Sequence, residues 1–154
     1  MSLTIYTDGA SRGNPGRGGY GAILQWGDKK KELSQGYKMT TNNRMELLAV
    51  IKALEVLTRE DLDIQIFTDS KYVVDSVEKG WVFGWEKKNF AEKKNPDLWQ
   101  RYLKLHRKHR IKFNWVKGHS TNAMNNRCDQ LATAAADGGN LLSDEFYEQE
   151  FYAQ

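Results

Sequence analysis

The sequence reads as an α/β domain in which at least two strands run parallel, and three observations carry this. Ile5-Tyr6-Thr7-Asp8 alternates apolar and polar residues as a half-buried strand does. About sixty residues later Ile66-Phe67-Thr68-Asp69 repeats the device. Between the two, Leu47, Leu48, Ile51, Leu54 and Leu57 recur at helical spacing. A strand-helix-strand connection with a right-handed crossover favours parallel strands. Two adjacent parallel strands that both finish on Thr-Asp followed by a small residue set two carboxylates side by side. That carboxyl edge is where open α/β sheets bind ligands.

Taken in order, the first strand covers roughly residues 3 to 10. The run Ser11-Arg12-Gly13-Asn14-Pro15-Gly16-Arg17-Gly18-Gly19 then suits either a flexible turn or a backbone that approaches phosphate closely. It is not a P-loop, because no Gly-Lys-Ser/Thr follows. Residues 20–26 and 31–39 form a second and third strand around a turn at Gly27-Asp28-Lys29-Lys30. A helix follows over about 43–58, with Asn43 as its cap; Glu46, three positions on, equally fits a capping box. Residues 63–68 make the fourth strand, and Ser70 caps the next helix. Between 78 and 99, Trp81, Trp85, Phe90 and Trp99 interleave with Lys79, Lys87, Lys88, Lys93 and Lys94. This pattern fits a core helix with solvated lysines as well as a surface on which nucleic acid stacks. Residues 98–109 form a basic helix and 111–116 a fifth strand. A Gly118-His119-Ser120-Thr121 loop and a last helix from near Asn126 complete the body. Asn125-Asn126-Arg127-Cys128-Asp129 echoes Asn42-Asn43-Arg44-Met45-Glu46, so each helix is expected to hold a carboxylate in its first turn behind an Asn cap.

A chain of 154 residues suffices for one domain with a true core. We divide it into a single domain over 1–142 and an acidic, aromatic tail over 143–154. No apolar run reaches membrane-span length, and no signal-peptide pattern opens the chain. One cysteine, Cys128, excludes an internal disulfide and fits a reducing, cytoplasmic setting, with the residue buried rather than reactive. The net charge is +3, but the tail holds four acids and no Lys or Arg. Without it, 23 basic residues face 16 acidic ones. A basic body suits a polyanionic partner.

Four carboxylates stand where elements meet: Asp8, Glu46, Asp69 and Asp129. Each alone has an ordinary explanation as a turn or helix-start residue. Together they suit Mg²⁺, which prefers oxygen ligands and leaves room for substrate phosphate. Two such ions can hold the attacking water and the leaving oxygen of a phosphodiester. One Cys and three scattered His give no zinc spacing. His119, in its Gly-flanked loop, becomes a proton carrier beside such a cluster.

These motifs, in order, resemble bacterial ribonuclease HI. They are Thr7-Asp8-Gly9, Gly13-Asn14-Pro15-Gly16, Thr41-Asn42-Asn43-Arg44-Met45-Glu46, Thr68-Asp69-Ser70, Trp115-Val116-Lys117-Gly118-His119 and Asn126-Arg127-Cys128-Asp129. The likeness runs from about residue 3 to 138. It implies a five-stranded mixed sheet flanked by helices, with strands one to three antiparallel and four and five parallel to the first. It also implies an endonuclease that cuts the RNA strand of RNA/DNA hybrids, leaving 5′-phosphate and 3′-hydroxyl ends. By matching position, Asp8, Glu46, Asp69 and Asp129 would hold two Mg²⁺, with Mn²⁺ as a substitute. His119 would assist proton transfer or product release. Asn14, Thr41 and Asn43 would contact the hybrid, while Trp81, Trp85, Lys87 and Lys88 belong to a basic protrusion that grips the DNA strand. The resemblance suggests a monomer. Two departures stand out: Lys71 replaces an amide found in some relatives, and no carboxylate lies between His119 and Asp129. Rival readings are another nuclease of the same architecture, such as a junction resolvase, or a hybrid-binding module without catalysis.

Overall fold

The computed structural model describes residues 2–118 and 122–153. Three strands, β1 (Ser2–Arg12), β2 (Gly16–Trp26) and β3 (Lys29–Thr40), form an antiparallel meander. β4 (Asp63–Thr68) pairs parallel to β1, and β5 (Arg110–Trp115) parallel to β4. A sixth strand, β6 (Leu141–Leu142), pairs parallel to β3, giving the order β5-β4-β1-β2-β3-β6. The sheet is therefore mixed as expected but has six strands rather than five. Two residues are too short a run to leave any alternation in the sequence.

Six helices complete the described residues: α1 (Asn42–Glu55), α2 (Lys71–Glu78), α3 (Trp81–Lys87), α4 (Pro96–His106), α5 (Ala123–Asp137) and α6 (Glu145–Tyr152). α1 lies between the sheet and α4, and every residue from Arg44 to Leu54 except Lys52 is buried. Its Leu47, Ile51 and Leu54 meet Ile5, Ile64 and Ile66 of the sheet in a core closed by Trp99 and Tyr102 of α4. Each such side chain contributes about 2 kcal/mol by leaving water.

The glycine run divides between a turn and a strand. Gly13-Asn14-Pro15 turns the chain from β1 into β2, with Gly13 at a φ of 88°, whereas Gly16–Gly19 belong to β2, where Gly18 and Gly19 serve helix approach. A Cβ on Gly21 would sit 2.4 Å from the Cys128 carbonyl of α5, and one on Gly9 would sit 2.4 Å from the Glu46 nitrogen of α1. Gly18 meets Met45 while its neighbour Gly19 meets Ala132, so α1 and α5 press on opposite faces of the sheet. The turn expectation holds at residues 13–15 and fails at Gly16–Gly19, where glycine's depletion in strands argues against the strand that forms.

Both helix starts also differ from expectation. Thr41, not Asn43, caps α1: its backbone stays extended, continuing β3, and its hydroxyl accepts from the Arg44 N–H at 3.2 Å. Asn122 caps α5, accepting from the Met124 and Asn125 N–H groups at 2.9 and 3.2 Å. Glu46 and Asp129 thus lie beyond the first turns of their helices, and neither is a capping residue. Ser70 caps α2 as expected, accepting from Val73. Cys128 is buried, and burial pushes its thiol up.

Candidate active site

β1 and β4 run parallel in register, with Tyr6 beside Phe67, so Asp8, still within β1, and Asp69, just past β4, stand at the same level where this pairing ends. Gly9 lets the start of α1 come down onto β1, which carries Glu46 to the same place. One carboxylate oxygen each from Asp8, Glu46 and Asp69 lies within 4.8 Å of the others. Asp8 and Glu46 are buried and Asp69 half-buried. Asp129, exposed on α5, lines the same cavity of about 40 Å³ with Thr7, Asp8, Asp69, Asn125 and Gly118. It adds a further charge acting on Asp8.

The electrostatics are those of anions held together without compensation. Burial first, then Asp69, push the Asp8 carboxyl up to about 8; the Gly9 N–H, donating to Asp8 Oδ1 at 2.9 Å, opposes this. Glu46 is raised well above the ordinary carboxylate range, by burial and then by Asp8 and Asp69. Among the described residues, Glu46 Oε1, Thr7 Oγ1 and Asn125 Oδ1 are buried without a hydrogen-bond partner. Unsatisfied buried oxygens are costly, and Thr7 and Asn125 line the cavity that Asp8 and Asp69 also line. An all-oxygen donor set with no Cys or His fits a hard divalent cation, and such an ion would relieve both the repulsion and the orphaned Glu46 oxygen.

The predicted residues are distributed as follows. Asp8, Glu46, Asp69 and Asp129 come together. His119 lies outside the described residues; Lys117 and Gly118, just before it, line the acidic cavity. Asn14, Thr41 and Asn43 share a hollow of about 490 Å³ with Lys93, Lys94 and Asn95. Asn14 Oδ1 accepts from the Asn42 N–H at 3.1 Å, tying the β1–β2 connection to α1. Trp81, Trp85, Lys88 and Lys93 line a second hollow of about 300 Å³. Trp81 is 48% exposed, whereas Trp85 packs edge-on to buried Trp99, so the two tryptophans divide between surface and core. The ammonium groups of Lys79 and Lys93 each stand 5.4 Å from the Trp81 and Trp85 ring centres respectively. Lys87 is exposed at the end of α3.

Sequence reasoning misses Trp115. Its indole N–H donates to the Asp69 carbonyl at 3.0 Å, and Lys71 Nζ lies 4.9 Å from its ring centre. An exposed Trp at a strand end carries no periodic signal, and its partner stands 46 residues away. Arg44 likewise enters the sequence reading only as part of a motif. It is 2% exposed and is gripped by Asp97 on one edge and Asp144 on the other.

Comparison with known proteins places this geometry in context. The family model RNase H matches residues 1–137. Ribonuclease H of Desulforamulus reducens is 52% identical over 147 residues, covering 92% of each chain. Ribonuclease HI of Synechocystis sp. is 51% identical over 150 residues, covering 94% of this chain and 93% of its own. Among solved structures, LC9-RNase H1 superposes with a TM-score of 0.80 at 29% identity, covering 99% of this chain and 81% of that one. LC11-RNase H1, solved in complex with an RNA/DNA hybrid, gives 0.67 at 26% identity, covering 88% and 96%.

Proposed function

The chain belongs to the RNase H family, and we propose that it hydrolyses the RNA strand of RNA/DNA hybrids at this carboxylate cluster and the cavity beside it. The observation that carries the reading is the convergence of Asp8, Glu46 and Asp69 on one point, with Asp129 on the cavity wall. In this reading these four residues hold two Mg²⁺ ions, for which Mn²⁺ substitutes. Bound divalent ions supply an activated water and stabilise charge on the phosphate. The carboxylates do the positioning. Asp8 accepts from the Gly9 N–H, the α1 backbone at Glu46 lies close against Gly9, and Asp69 is held through its peptide by Trp115.

Water attacks phosphorus and the bond to the 3′ oxygen breaks, leaving a 3′-hydroxyl and a 5′-phosphate. His119, which follows Gly118 in the sequence, moves the proton or aids product release. Only RNA offers the 2′-hydroxyl that marks the strand to be cut. The hybrid runs past Asn14, Thr41 and Asn43, and its DNA strand reaches the hollow of Trp81, Trp85 and Lys88, with Lys87 beside it; Lys93 lines both hollows and joins them. Contacts of this kind address backbone rather than base edges, so the activity tolerates sequence. We read the enzyme as a monomer, since one chain supplies every element of the groove, and as cytoplasmic, in keeping with its single reduced thiol. No helix among the described residues is long and apolar enough to cross a membrane.

Digesting RNA/DNA hybrid, duplex DNA and a four-way junction side by side tests the assignment. Cleavage confined to the RNA of the hybrid is expected. Preference for the junction would favour the resolvase reading, and binding without cleavage would favour the non-catalytic one.

A further inference from the structure

Residues beyond 137 lie outside the span matched by the family model, yet the fold builds them into the groove. Asp144 is buried. Its carboxylate accepts from Arg44 Nε and Nη2 at 2.7 and 2.9 Å, and from the Thr40 hydroxyl at 2.7 Å. Asp97 holds the other edge of the same guanidinium at 2.9 and 2.7 Å. Two carboxylates on one guanidinium leave this anchor with an excess negative charge. From it α6 projects along the groove. The Phe146 and Tyr147 rings stand 5.6 and 5.9 Å from the guanidinium carbon. Tyr147, Glu150 and Phe151 then form one wall of the hollow of about 490 Å³ that Lys93 and Lys94 also line. The helix carries Glu145, Glu148 and Glu150 and no Lys or Arg. Glu150 is exposed, and among the described residues it makes no ion pair.

We propose that α6 is an acidic wall of the nucleic-acid groove: anchored by Asp144, it sets Glu150 against the phosphates that Lys93 and Lys94 attract, and so weakens the grip on the hybrid. The inference rests on the reading that this groove holds the hybrid. A fixed carboxylate in a groove repels phosphates within roughly a Debye length, ~8 Å at physiological salt. The opposed charges give the groove both attraction and release, so cut strands are not retained.

The test uses full-length protein and an RNA/DNA hybrid in EDTA, with dissociation constants measured across salt. Glu150→Gln is expected to bind the hybrid about threefold tighter at low salt, and Glu150→Lys about tenfold tighter, as rim charges of this kind do. The gain should fade toward high salt. Glu60→Lys changes net charge as much as Glu150→Lys but lies in a separate hollow with Leu57 and His109; it should gain far less. Unchanged or weaker binding by Glu150→Lys, or an equal gain from Glu60→Lys, would overturn the proposal while leaving the groove assignment standing. Failure of the wild-type protein to bind hybrid at all would remove the groove assignment and this proposal with it.

Discussion

Replacing Asp8 by Asn removes one charge from the cluster while keeping its local geometry. An Asn Oδ1 still accepts the Gly9 N–H that Asp8 Oδ1 accepts at 2.9 Å. Without metal, burial first and Asp69 second lift the Asp8 carboxyl from 3.8 to about 8. The folded value lies above the unfolded one, so across that interval the native state keeps a proton that the unfolded chain has released. Stability from this group is complete below about pH 4, declines as pH rises toward 8, and stays lost above that. At pH 7 roughly three pH units have been crossed at about 1.4 kcal/mol each, a ceiling of ~4 kcal/mol. Counter-ions and rearrangement of the cluster lower this, and Asp8→Asn should exceed wild type by about 1 to 2 kcal/mol at pH 7 in EDTA. For a domain of this length that is about 3 to 6 °C in Tm. Thermal unfolding followed by circular dichroism between acid and mildly alkaline pH measures it. The gap should be near zero at the acid end and widen with pH. Excess Mg²⁺ should then raise wild type more than the variant. A variant that melts at or below wild type at pH 7, with a gap insensitive to pH and equal Mg²⁺ shifts, would mean that these carboxylates do not form one repulsive cluster.

Three further outcomes are expected. Gly9→Ala drives a methyl group into the α1 backbone, 2.4 Å from the Glu46 nitrogen and 2.5 Å from the Met45 carbonyl carbon. It should cost about 3 kcal/mol in urea unfolding and reduce turnover together with it; full activity at wild-type stability would show that α1 does not depend on this close approach. His119→Ala should lower kcat by about 10²-fold with KM nearly unchanged, and a pure KM effect in single-turnover kinetics would make it a binding residue instead. Changing Lys87, Lys88, Lys93 and Lys94 to Ala should flatten the salt dependence of hybrid binding by about one slope unit for each phosphate no longer neutralised; an unaltered slope would assign these lysines to solvent.

The parallel pair and its two aspartates are legible because alternation fixes which face each side chain takes, and Thr-Asp-small follows the last paired residues of both strands. Glu46 is legible as a position but not as a conformation. Thr41, Asn42 and Asn43 can each cap a helix, and only the extended backbone running out of β3 selects Thr41. The same ambiguity separates the expected start of α5 near Asn126 from its observed cap at Asn122. The glycines of β2 mislead because glycine signals a turn far more often than a helix pressing on a sheet, and for Gly19 and Gly21 the pressing helix is over a hundred residues away. Distance also hides the tail. Asp144 looks like any acid in an acidic segment, and its burial follows from Arg44, 100 residues earlier. Long-range partners of this kind leave no local periodicity, whereas the two strands that carry the aspartates each leave one.

The most direct measurement is cleavage of a hybrid labelled on both strands by wild type and Asp69→Asn, each with Mg²⁺ and with EDTA. Wild type with Mg²⁺ should cut the RNA strand alone, giving 5′-phosphate products, and the other three reactions should leave both strands whole. RNA cleavage that persists in EDTA, or an Asp69→Asn rate within a few-fold of wild type, would contradict metal-dependent hydrolysis at this carboxylate cavity.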